Sequence, residues 1–180
     1  MGIYQPAEDS YFLSEILKNQ IPKLLIQNPN LTFLEIGTGS GIQLETAHNS
    51  GIKKENISSC DINSASVQHC NLLGYSCIHS DLFENIKNKY DLIVFNPPYL
   101  PEHELDKEKD TSGGKRGDET IVRFLQQAKS HLNPDGKIFL LFSSRTPMED
   151  INKEINNYKK KFLGNERLFY EDLSIWELRI

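Results

Sequence analysis

Apolar residues along this chain fall into short β-like runs separated by longer segments with helical spacing. The runs LTFLEI (31–36), NISSCDI (56–62), YSCIHS (75–80), DLIVF (91–95) and GKIFLLF (136–142) read as strands. Between them, GIQLETAHNS (41–50), NSASVQHCNLL (63–73) and DETIVRFLQQAKSHL (118–132) read as helices, the last closed by the turn signal NPDG. Alternation of this kind predicts right-handed crossovers and a mostly parallel sheet with helices on both faces. After the fifth run the rhythm changes. MEDINKEINNYKKKFL (148–163) has the pattern of a polar amphipathic helix, and RLFYEDL (167–173) and SIWELRI (174–180) read as a closing hairpin. In the last segment Trp176, Leu178 and Ile180 alternate with Glu177 and Arg179, as in a half-buried strand. The expectation is one α/β domain over residues 1–180, with a Rossmann-like seven-stranded sheet, an antiparallel C-terminal hairpin and no separate recognition domain.

Composition narrows the function classes. With 180 residues, 38% of them hydrophobic, the chain can bury the core of one domain. A formal net charge of −5 lacks the basic footprint of a stand-alone nucleic-acid binder. Cys60, Cys70 and Cys77 form no CxxC pair, and Met1-Gly2-Ile3 opens no signal-peptide pattern, so a reducing, cytoplasmic setting (with a nuclear pool allowed) is expected. The longest apolar runs are far too short to span a bilayer. The five histidines form no HExxH motif or Cys/His cluster, and no metal site is expected.

In an open parallel sheet, ligands bind beyond the carboxyl ends of the strands. The first strand runs into Glu35-Ile36-Gly37-Thr38-Gly39-Ser40-Gly41, where glycines permit a sharp turn and close approach of backbone to a ligand. A dinucleotide loop wants GxGxxG, but Ile42 stands where its third glycine would be, leaving GxGxG. This spacing, with an acid two residues before Gly37, suits S-adenosyl-L-methionine (SAM) better than NAD. SAM carries a sulfonium and an ammonium, for which Glu35 is a natural counter-charge. Asp61 closes the second strand 24 residues after Gly37, close to where a ribose-binding acid sits, roughly 20 residues on. Asp81 follows the third strand and is placed to serve the adenine, with Leu82 and Phe83 packing on the base. Any one of these carboxylates alone reads equally as a helix cap or a solvated turn.

The fourth strand ends in Asn96-Pro97-Pro98-Tyr99. The residue before a proline is pushed to extended backbone and each proline has a fixed φ, so the segment is stiff and its carbonyls point in set directions. The Asn96 side-chain carbonyl and the Pro97 backbone carbonyl form a pair of acceptors for both hydrogens of a planar NH2 group. Accepting both raises electron density on a nitrogen whose lone pair is otherwise delocalised. Tyr99 can pack on the flat group and hold it in line with a methyl donor. A proline-stiffened loop is the plain structural alternative.

At these residues the chain resembles a class I SAM-dependent methyltransferase of the HemK type, in its short eukaryotic and archaeal group. YQPAEDSYFL (4–13) is similar to that group's N-terminal motif, LEIGTGSG (34–41) to its glycine loop, and DIN (61–63) to its ribose motif. SDLF (80–83), FNPPYLP (95–101) and GGKRGDETIVRFL (113–125) follow in the expected order. The resemblance implies that Ser10, Glu35, Gly37, Asp61, Asp81, Leu82 and Asn96 contact SAM, together with Thr38, Gly39 and Gly41 of the loop, and that Asn96 to Tyr99 hold the acceptor amide. From the residues alone, Pro6 turns the chain into a helix whose positive end Glu8 and Asp9 favour. GGKRG is expected near the substrate entrance. The chain departs from the group at Asp110-Thr111-Ser112 and in the charged EHELDKEKD (102–110).

The resemblance further implies N5-methylation of the glutamine in the Gly-Gly-Gln loop of a class 1 translation termination factor. With the motif starting at Tyr4, the helical N-terminal domain of the bacterial enzymes is not expected. A small zinc-ribbon activator is the expected partner, adding a strand at the 75–80 edge. An adenine amine presents the same planar NH2, so DNA or RNA adenine methylation is the alternative. Lysine methylation and a non-catalytic SAM-binding scaffold stand behind it. KKK (159–161) is expected on an exposed helix as a solvated face.

Overall fold

A computed structural model describes residues 2–99 and 116–180. These form a seven-stranded sheet: β1 (Phe33–Ile36), β2 (Ile57–Asp61), β3 (Ser76–His79), β4 (Tyr90–Phe95), β5 (Leu132–Ser143), β6 (Lys159–Arg167) and β7 (Asp172–Arg179). The helices are α1 (Glu8–Gln27), α2 (Ile42–Asn49), α3 (Ser64–Leu72), α4 (Glu119–Ala128) and α5 (Glu149–Ile155). Strand order is β3-β2-β1-β4-β5-β7-β6, parallel from β3 through β5, with β7 antiparallel to both its neighbours. The expected architecture is present.

Two cores lie on the two faces of the sheet. In α1, Phe12, Leu13, Ile16, Leu17, Ile21 and Leu24 recur at helical spacing and pack with Leu44 and Ala47 of α2 over Phe33, Leu92, Val94 and Phe139. On the other face, Ile121, Phe124 and Leu125 of α4 and Ile151 and Ile155 of α5 cover Leu34, Ile36, Ile93, Phe95 and Leu140. No described helix is long and apolar enough to cross a membrane. The order of strand addition reverses about β1: β2 and β3 are laid to one side, β4 and β5 to the other. A crevice opens at such a switch point, beyond the carboxyl ends of β1 and β4.

Several expectations need correction. The helix read over 148–163 stops at Ile155, and Lys159 to Arg167 form β6, so the hairpin strand precedes the 167–173 segment expected for it. Pairing with β7 decides this, because Lys160 faces Leu178 and Phe162 faces Trp176, with the Phe162 ring edge-on to the indole. Lys159–Lys161 therefore lie on an edge strand, where lysines discourage further pairing. The NPDG turn is absorbed within β5, as an irregularity between Leu132, level with Tyr90, and Lys137, level with Leu92. Asp135 there takes φ +63°.

Candidate active site

The crevice holds a cavity of about 340 Å³. The ends of β1, β2 and β3 each contribute a carboxylate. Glu35, near the end of β1, is 3% exposed and accepts a hydrogen bond from Thr38 Oγ1 at 2.9 Å. Burial pushes its carboxyl well above the ordinary carboxylate range, and the Thr38 bond offsets this only in part. The loop after it is tied to β2, as Gly37 N and Thr38 N donate to Cys60 O at 2.8 and 3.2 Å. Gly37 and Gly39 have φ of +68° and +51°, a region that favours glycine, and both line the cavity.

Asp61, at the end of β2, accepts from Gly39 N at Oδ2 and from Asn63 N at Oδ1, each at 2.8 Å. It thus pins the glycine loop and faces the cavity at the same time. Asp81 follows β3 and pairs with Arg123 Nη2 of α4 at 2.8 Å. Leu82 lines the cavity beside it and takes φ +48°, a strained conformation for a leucine that its carbonyl's bonds from Cys60 Sγ and Ser80 Oγ help to hold.

At the end of β4, Asn96, Pro97, Pro98 and Tyr99 all line the cavity. Asn96 Nδ2 donates to Asp9 Oδ2 at 2.9 Å, and Asn96 Oδ1 is buried with no hydrogen-bond partner among the described residues. Asp9 also accepts from Tyr4 Oη, at 3.0 and 3.1 Å, and from Ser10 N at 2.6 Å. The Tyr99 hydroxyl stays protonated: burial raises its pKa, and the Asp9 and Glu171 carboxylates raise it further.

The structure brings together Ser10, Glu35, Gly37, Thr38, Gly39, Asp61, Asp81, Leu82 and Asn96 to Tyr99 around one cavity. Gly41 does not line it. It turns the chain into α2 with φ +82°, and a Cβ there would meet Cys70 Sγ at 3.1 Å. Phe83, expected against the base, packs instead on Phe124 and stacks on His131. Leu100 to Lys115, including Pro101, the charged 102–110 segment and most of GGKRG, fall outside the described residues. Sequence reasoning took Asp9 for a helix-end charge. It did not single out Tyr4, Gln43, Thr120 or Arg123, which also line the cavity. The only signal for Asp9 was its place in the YQPAEDSYFL motif.

The family described as Methyltransferase small domain matches residues 12–167. The chain belongs to this family. Within it, the chain is of the short HemK type, with the class I methyltransferase fold. A Methanocaldococcus jannaschii protein, provisionally named a protein N5-glutamine methyltransferase, is 36% identical, covering 98% of this chain and 92% of its own length. The Schizosaccharomyces pombe eRF1 methyltransferase catalytic subunit mtq2 is 26% identical, over 92% of this chain and 82% of its own. Among solved structures, a chain of the E. cuniculi Mtq2–Trm112 complex, which methylates the termination factor eRF1, superposes with a TM-score of 0.77. That likeness covers 99% of each chain at 23% identity and concerns the fold.

Proposed function

We propose that this chain transfers a methyl group from SAM to the side-chain N5 of a glutamine, and that this glutamine lies in the Gly-Gly-Gln loop of a class 1 translation termination factor. The observation that carries the reading is Asn96, a cavity-lining side chain whose Nδ2 is held by Asp9 while its buried Oδ1 has no hydrogen-bond partner among the described residues. A buried acceptor left without a donor is costly, about 1–3 kcal/mol. A planar amide NH2 is the group that repays this cost, donating to Asn96 Oδ1 and to the Pro97 carbonyl.

The residues fit SAM. Glu35 is a buried carboxyl that a cation would ionise. Gly37 and Gly39 offer bare backbone, Asp61 keeps lone pairs free for ribose hydroxyls, and Leu82 and Ile62 give apolar surface beside Asp81. Bound there, SAM supplies an electrophilic methyl group. Asn96 and Pro97 orient the acceptor amide and draw density onto its nitrogen. Tyr99 confines the amide plane. The stiffness of the diproline holds the two carbonyls in place through the reaction, so little reorganisation is required. Methylation makes the nitrogen's proton acidic, and no strong base is needed to remove it.

The termination-factor acceptor is supported by the S. pombe relative and by the E. cuniculi complex. For a zinc-ribbon partner, the support is the edge of β3, unpaired among the described residues, with Ile78 41% exposed and Leu72 at the end of α3 80% exposed. An added strand there would pair the edge and cover both side chains. The test is transfer of labelled methyl from SAM to a class 1 termination factor, with the partner present. Label that disappears when the loop glutamine is replaced is expected. Label on duplex DNA alone would transfer the reading to an adenine acceptor.

A further inference from the structure

The β6–β7 turn, residues 168–171, carries Phe169 and Tyr170, which are 91% and 83% exposed. Their rings meet edge-on with centroids 4.6 Å apart. Scattered exposed apolar residues are ordinary, but a contiguous aromatic pair on a surface marks an interaction site. The turn is anchored. Leu168 N donates to Glu171 O and Ser144 N to Asp172 O, each at 2.8 Å, and Ser143 Oγ donates to the Glu171 carboxylate.

Its position follows from strand register. Ser143 of β5 stands level with Leu173 of β7, and Phe95 of β4 with Leu140 of β5. The carboxyl end of β4, which runs into Asn96–Tyr99, and the start of β7 therefore lie at the same end of the sheet, on either side of β5. The turn opens at the end of the sheet where the cavity lies, with β7 about two strand spacings, ~10 Å, from β4. Leu168 and Tyr99 pack against the same core cluster. Among the described residues, the charges around the turn are Glu166, Glu171 and Asp172 against Arg145 and Arg167, with Arg167 drawn to Asp172 at 3.8 Å. A rim with excess carboxylate repels a phosphate backbone and leaves a polypeptide as the favoured occupant.

We propose that Phe169 and Tyr170 are a docking subsite for the polypeptide that flanks the acceptor glutamine, taking an apolar or cationic side chain from it. The inference rests on the glutamine reading above. Two large rings with few rotatable bonds supply contact area at low entropic cost, and their faces attract cations. A short loop that delivers its glutamine to Asn96 passes the end of the sheet on which the turn that carries these rings also lies.

The test is methyl transfer to the termination factor by wild type and by F169A/Y170A, with the partner present, beside SAM affinity and thermal midpoint. Both side chains are exposed, so the variant is expected to keep its midpoint and its SAM affinity. Its KM for the protein acceptor is expected to rise about tenfold or more with kcat within twofold, and F169Y/Y170F to behave as wild type. An unchanged KM overturns the docking subsite and leaves the methylation reading intact. A lost midpoint or weakened SAM binding assigns the pair a structural role and also overturns it. A wild type that labels no termination factor overturns both readings.

Discussion

Asn96 Nδ2 donates to Asp9 Oδ2 at 2.9 Å, joining positions 87 residues apart in the chain. A carboxylate can only accept, so the contact admits one orientation of the Asn96 amide and leaves Oδ1 as the acceptor that Asp9 does not engage. Asp9 is itself held by Tyr4 and Ser10. The pair thus converts a side chain that could flip into a fixed acceptor.

Replacing Asn96 with Ala is expected to lower kcat by about 10²–10³, the size of effect seen when one positioned polar group is lost from a reacting centre. Asp9→Ala, which frees the amide, is expected to cost about tenfold or more. The double variant should be no worse than Asn96→Ala alone, because Asp9 acts through Asn96. Rate constants for the three proteins at saturating SAM check this. Additive losses would separate the two residues.

If Glu35 faces the cation of SAM as proposed, SAM binding is expected to depend on pH. Burial raises its folded-state pKa, so the folded chain holds that proton more tightly than the unfolded chain. Without a cation beside it, stability falls as pH rises from the unfolded value, about 4.3, through the folded one. A cationic ligand reverses the preference and releases the proton. SAM affinity should therefore rise with pH across that window, by up to tenfold per unit, and level off above it. Calorimetry in two buffers of different ionisation enthalpy should show up to one proton released by wild type and none by Glu35→Gln. The variant should bind about 10- to 100-fold more weakly, as expected for a lost charge-assisted contact of about 1.5–3 kcal/mol.

Two glycines of one loop should respond differently to alanine. Gly39 lines the cavity, with φ +51° and a Cβ position 3.4 Å from Tyr4 Cβ, so Gly39→Ala should impair SAM binding. Gly41 lies outside the cavity wall, with φ +82°. Gly41→Ala should lower stability by about 1–2 kcal/mol from backbone strain and leave the affinity of the folded protein near wild type. Thermal melts beside SAM titrations separate the two.

The central strands β4 and β5 were legible because they are buried on both faces and read as apolar runs, as in Leu92 to Phe95 and Ile138 to Phe142. The glycine loop and the three acids were legible because chemistry at strand ends leaves local signatures. β6 was not. It is an exposed edge strand whose lysines carry no strand signal, and its identity comes from pairing with β7. Asp9 was missed for a related reason: an acid in a helix's first turn is locally complete as a dipole partner, and its contact with Asn96 exists only once α1 crosses the end of β4.

The β3 edge gives a prediction about assembly. Ile78→Lys places a charge on the exposed strand where a partner's strand would pair, and should abolish co-purification with the zinc-ribbon protein. SAM binding by the chain itself should persist. A stable one-to-one complex with this variant would move the interface elsewhere.

The most direct measurement is site-resolved mass spectrometry of a class 1 termination factor after incubation with SAM, the partner, and either wild-type chain or Asn96→Ala. A single methyl on the glutamine of the Gly-Gly-Gln loop, present with wild type and lost with the variant, is the predicted result. An unmodified glutamine in the presence of bound SAM, or a methyl that survives loss of Asn96, would contradict the proposal that this side chain holds the acceptor amide.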